Sequence, residues 1–127
     1  MHRELAPEGL AAPVANYAQA VLSEGPTRWV HTAGIVPTRP DGSVPADLAE
    51  QAEVVWTNIG LLLAEAGMVV TDVVSVTTYV VQGGDLGTVM AARDRAMGGH
   101  RAASTLLVVP ALARPAWQVE VAVVACA

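Results

Sequence analysis

"DLAEQAEVVWTNIGLLLAEAG", residues Asp47 to Gly67, is followed closely by "DVVSVTTYVV", residues Asp72 to Val81, and the change of period between them decides the fold. In the first stretch Leu48, Val55, Ile59, Leu62, Leu63 and Ala66 recur at helical spacing, the pattern of an amphipathic helix with one apolar stripe. Asp47 stands at the N-cap, Glu50 follows three residues later, and Gly67 marks the exit. The second stretch is rich in β-branched residues, which fit a pleated surface, and reads as a strand.

The same reading extends in both directions. Downstream, Asp85 caps a second helix running to about Met97, where the Gly98-Gly99 pair ends it. "STLLVV" (Ser104 to Val109) and "WQVEVAVVAC" (Trp117 to Cys126) then read as two strands, separated by a loop containing Pro110 and Pro115. Upstream, "YAQAVLSEGPTRWVHTAG" (Tyr17 to Gly34) reads as a hairpin turning at Glu24 to Thr27, and "IVPTRPDGSVP" (Ile35 to Pro45) as a loop. The order strand, strand, helix, strand, helix, strand, strand describes an α+β layer with two helices packed on one sheet face. No repeat or linker interrupts the 127 residues, so one domain over residues 1–127 is expected.

Hydrophobic residues make up 53% and charged residues 15% of the chain, an apolar surplus for so small a protein. Two helices cover one face of the sheet, and the other, expected to be lined by Val and Leu, would be wet in a monomer. At about 25 cal/mol per Å², several hundred Å² of such surface represents many kcal/mol of association drive. A symmetric homo-oligomer is therefore expected, with any pocket where subunits meet.

Composition also removes several functions. The net charge is −5 and the seven basic residues, all arginines, form no stripe, which argues against nucleic acid as a partner. Without lysine there is no Schiff-base catalysis through a side-chain amine. His2, His31 and His100 lie far apart with no Cys or HxxxH companions, so no metal is expected. Cys126 is the only cysteine, and nothing near it in sequence would lower its pKa, so it is not expected to act as a nucleophile. No apolar stretch reaches the roughly 20 residues that cross a bilayer, and the N-terminal segment lacks a signal-peptide core. A soluble cytoplasmic protein, without a membrane partner, is the expectation.

Four landmarks then fall into a series: Tyr17 in "YAQAV"; Ala33-Gly34 with Pro37 in "TAGIVP"; Gln51, Asn58 and Gly67 on the first helix; and "VEV" at Val119 to Val121. In this order and spacing the chain resembles the RidA family, also called YjgF, from Tyr17 to Ala122. The resemblance implies a chorismate-mutase-like fold and a homotrimer whose sheets surround a central barrel, with three clefts between subunits. It also implies hydrolysis of reactive enamines and imines to ketoacids and ammonia, without metal or organic cofactor. In active members an arginine at the start of the penultimate strand, within a Pro-Ala-Arg motif, binds the substrate carboxylate; a guanidinium fork matches a planar carboxylate.

Two registers place that arginine differently here. Counting from Arg101 to Val109-Pro110 reproduces the spacing from the arginine to a Leu-Pro pair and makes Arg101 the carboxylate ligand. Anchoring on Leu112 and "VEV" puts Ala102-Ala103-Ser104 over the motif, so that Ser104 replaces the arginine. The second fits better, because "ASTLLVV" reads as a strand continuing from Ser104 and resembles a branch with serine there. Three residues separate Arg101 from Ser104, so in a continuous strand they would face opposite ways. Were the strand to begin only at Ser104, Arg101 could curl in from the loop.

By the same resemblance Glu120 matches the acid that contacts water in the cleft, suited to general-base work; its plainer reading is a structural carboxylate. Tyr17 either closes the cleft over a planar ligand or packs at an interface. Ser104 and Thr105 could hydrogen-bond a ligand, although a serine there often caps only its own strand. Met90 occupies the place of an asparagine common in the family and makes the cleft more apolar. Arg101 with His100 is either an anion site or a solvated pair, Arg114 is a surface residue, and Trp29, Trp56 and Trp117 are packing residues, Trp117 opening the last strand. Three functions stay open: a trimeric imine or enamine hydrolase with weak activity on a small carboxylate substrate, a trimer that only binds or regulates through a small molecule, and an interaction scaffold.

Overall fold

The computed structural model describes residues 1–127. Two short strands, β1 (His2–Leu5) and β2 (Ala20–Ser23), precede β3 (Trp29–His31). Helix α1 (Leu48–Glu65), strand β4 (Val73–Val81), helix α2 (Leu86–Met97) and strands β5 (Ala103–Val109) and β6 (Val119–Cys126) follow. The helix ends are those that the capping residues dictate. Asp47 accepts from the Glu50 N–H at 3.2 Å, and Asp85 accepts from the Thr88 N–H at the same distance. Gly67 and Gly98, with φ of 70° and 58°, supply the left-handed residue each exit needs.

The main sheet has the order β3-β6-β4-β5, with β4 and β5 parallel and the other pairs antiparallel. Period-two alternation then assigns the faces. Val119, Val121, Val123 and Ala125 of β6 and Val76, Thr78 and Val80 of β4 are buried beneath the helices. They meet Ala52, Val55, Ile59 and Leu63 of α1 and Val89, Ala92 and Met97 of α2 in one core. The architecture is α+β with two helices on one face.

Two expectations need correction. The Tyr17 to Gly34 segment holds two strands, but they do not pair with each other: β2 pairs with β1, and β3 with β6. Beyond the Gly25-Pro26 turn the N–H groups of Thr27 and Arg28 both donate to the Ala127 carbonyl, so the chain is drawn onto the C-terminal strand. The β1–β2 ribbon instead closes one end of the main sheet. His2 bonds the Cys126 carbonyl at 2.9 Å, and the Ala18 N–H donates to Ala102 at 3.0 Å. Nor does Trp117 open β6: its N–H donates to Arg114 in the preceding turn, where Pro115 prevents a ladder, and Arg114 stacks on its ring.

The face turned away from the helices is also less apolar than expected. By register it carries Ser75, Thr77, Tyr79 and Val81 of β4, Thr105, Leu107 and Val109 of β5, and Glu120, Ala122 and Val124 of β6. Four hydroxyl side chains from two strands, Ser75, Thr77, Tyr79 and Thr105, interrupt the greasy surface.

Candidate functional site

Glu120 is held by its strand and by the segment before α1. Ile35 exchanges backbone hydrogen bonds with Val121 at 2.8 and 3.1 Å, which lays Gly34 against the Glu120 side chain. A Cβ built on Gly34 would overlap the Glu120 carboxylate, so a larger residue there would push the end of the acid side chain out of its present position. The segment is fixed from behind by α1. The Asn58 amide donates to the Thr38 carbonyl at 3.1 Å. The fully buried Gln51 amide donates to Pro45 and Ala116 and accepts from the Gln118 N–H, each at 2.8 Å. Those two amides, both family landmarks, therefore hold the loops on either side of Glu120. The acid is half-buried and takes no part in the four ion pairs of the chain.

A second group forms at the opposite side of the sheet. Tyr17, Met90 and Ser104 come together in a groove of about 240 Å³, completed by Val14, Ala15, Leu86 and Leu106. Ser104 reaches it because its register partner is Val76, a helix-side residue of β4. Thr105, one residue on, pairs with Thr77 and shares a face with Glu120, two strands and two residues of register away and so about 12 Å off. Ser104 and Glu120 thus stand on opposite faces of one sheet.

Arg101 sits in the loop before β5 and faces neither Glu120 nor the groove lining. Its guanidinium grips Glu4 of β1 at 2.9 and 3.2 Å and donates to the Tyr17 carbonyl at 2.6 Å. In this chain it straps the N-terminal ribbon and sets the backbone that carries Tyr17. His100 bonds the Val73 carbonyl at 2.7 Å, so the adjacent pair is divided between two structural tasks.

Two further features carry no sequence motif. A hollow of about 390 Å³ lies between α1 and the segment beside Glu120, lined by Gly34, Ile35, Val36, Thr38, Asn58, Leu61 and Leu62, and holds no titratable group. Arg93 is buried on α2, one turn beyond Met90, and its Nη1 lies 3.5 Å from Ser104 Oγ. The signal was present, because Arg93 falls in the stripe of Val89, Ala92 and Met97, where a solvent residue does not belong.

A four-stranded mixed sheet backed by two helices defines a class of two-layer α+β proteins found repeatedly among solved structures. A Rid-family protein, YyfB, from Yersinia pestis superposes with a TM-score of 0.90 at 30% identity, over 99% of this chain and 98% of that one. Escherichia coli TdcF, whose structure contains bound serine, superposes at 0.73 over 98% of each chain; at 21% identity this likeness speaks of the fold. A 2-iminobutanoate/2-iminopropanoate deaminase of Escherichia coli K12 is 32% identical over 103 residues, 80% of this chain and 78% of the relative. The family model described as endoribonuclease L-PSP matches residues 8–127, and the chain belongs to that family, the RidA/YjgF family.

Proposed function

We propose that the protein is a homotrimer in which each cleft is shared by two copies, the Tyr17, Met90 and Ser104 groove of one facing the Glu120 side of the next, and that the cleft hydrolyses small imines or enamines. One observation carries this reading: Ser104 and Glu120 lie on opposite faces of a single sheet, with Thr105 on the Glu120 side. A single chain therefore offers two half-sites. The bare edge of β5 supports the assembly, since Leu107 and Val108 are 44% and 54% exposed and only Ala103 of that strand is bridged, by Ala18.

In the proposed reaction Glu120 takes a proton from water as the oxygen adds to the imine carbon. The carbinolamine nitrogen receives a proton and leaves as ammonia, and the carbonyl forms, so one water and one imine give one ketone and one ammonia. Catalysis is slow, because Arg101 is committed to Glu4 and Tyr17 and no arginine lines the groove. The same apolar lining favours one other reading, a trimer that binds a small molecule without turning it over. RNA is a poor substrate for a chain of net charge −5, whatever the family description says of other members.

Loss of 2-iminopropionate, followed against a buffer blank, tests the proposal. The expected rate is low, rises in proportion to protein and falls at least a hundredfold in Glu120→Gln. A rate independent of protein, or one untouched by Glu120→Gln, overturns the hydrolase.

A further inference from the structure

We propose that Arg93, acting through Ser104 as a positioning residue, supplies the groove with the positive charge for a small carboxylate that the cleft arginine brings in other members of the family. The inference deepens the shared-cleft reading and rests on it only for the chemistry supplied by Glu120, since every group named below belongs to one chain. The residue is 7% exposed, and burying a guanidinium costs several kcal/mol unless partners replace its water. Those partners are few. Nε and Nη2 both donate to one oxygen of Asp94, at 3.1 Å each, and the Asp94 side chain is 41% exposed and shares its charge with solvent. Nη1 has Ser104 Oγ at 3.5 Å, the outer limit of a hydrogen bond.

The consequence falls on Ser104. When its oxygen accepts from a cation behind it, its hydroxyl proton is free to point forward, between Tyr17 and Met90. There it becomes a donor strengthened by the charge at its back. The remaining lining, Val14, Ala15, Leu86, Met90 and Leu106, is apolar, and no carboxylate stands among the lining residues to compete for the site. An anion entering the groove meets the Ser104 hydroxyl backed by the Arg93 guanidinium, whose charge is shared with the half-exposed Asp94. With about 240 Å³ to fill, the groove is smaller than a drug-sized pocket and fits an acid of a few carbons.

Propionate and its neutral isostere propionamide, titrated calorimetrically into the full-length protein, separate charge recognition from shape. Wild type is expected to bind propionate at least tenfold more tightly than propionamide. Arg93→Met should abolish that preference, and Ser104→Ala should weaken propionate about tenfold, the loss of one charge-assisted hydrogen bond. Arg95→Gln, which removes the same charge from the same helix but pairs with Glu53 away from the groove, should leave the preference intact. If Arg93→Met fails to fold, Ser104→Ala with an unchanged circular dichroism spectrum decides. Equal binding of acid and amide by wild type, or unaltered propionate binding in Ser104→Ala, overturns the inference. The readout needs no turnover, so a protein that binds propionate in this way but hydrolyses no imine contradicts the hydrolase alone.

Discussion

Along β6 the side chains divide between Val119, Val121, Val123 and Ala125, which close on the helices, and Glu120, Ala122 and Val124, which face away from them. The first set is buried and purely apolar. The second is half-buried, carries an acid, and shares its surface with Ser75, Thr77 and Thr105. One strand thus serves a finished core and an unfinished surface, and the difference indicates where each part of the protein's work is done. The core holds the shape, whereas the bare face is the one that the proposed trimer would cover. The groove around Ser104 belongs to neither set, because it lies at the rim where α2 overhangs β5.

The comparison breaks most readily at the core. Ile59 is fully buried on α1, and Ile59→Ala should lower unfolding free energy by about 2–5 kcal/mol in urea titrations, through lost transfer energy plus a cavity. A loss under 1 kcal/mol would mean that the helix-covered face is not the closed core described.

A smaller effect sharpens the picture at the rim. The Asp85 carboxyl is held below its ordinary value of 3.8, first by the Thr88 hydroxyl and then by the Thr88 backbone N–H. A carboxylate whose folded pKa is depressed contributes stability above its unfolded pKa, and loses it as pH falls through the folded one. Asp85→Ala should therefore lower Tm by a few degrees at pH 7, and by progressively less as pH drops below 3.8, when the wild-type acid is protonated too. An equal Tm difference at pH 7 and pH 2 would remove the cap's charge from the account.

Much of this was legible from residue order. The caps at Asp47 and Asp85 and the glycine exits set both helices, because those residues satisfy backbone groups that the helix leaves open. The odd-even pattern of "VEVAVVAC" already separates Glu120 from its buried neighbours. Strand pairing was less legible. Trp29–His31 is three residues long, and its partner was chosen by contacts with a C-terminal strand more than ninety residues away, which no local turn signal reports. The ribbon strand "HREL" carries two charges and does not read as a strand until β2 lies beside it. At the site the parity of the β5 register puts Thr105, not Ser104, on the Glu120 face. Arg93 was hidden by the habit of assigning arginine to solvent, and only the burial of its whole helical stripe reveals it.

Sedimentation velocity on the untagged chain at micromolar concentration tests the shared cleft most directly. The account predicts one dominant species near three times the 13.1 kDa of a single chain. A species of 13.1 kDa, unchanged as protein concentration rises, would leave Glu120 and Ser104 on separate faces of a lone sheet and contradict it.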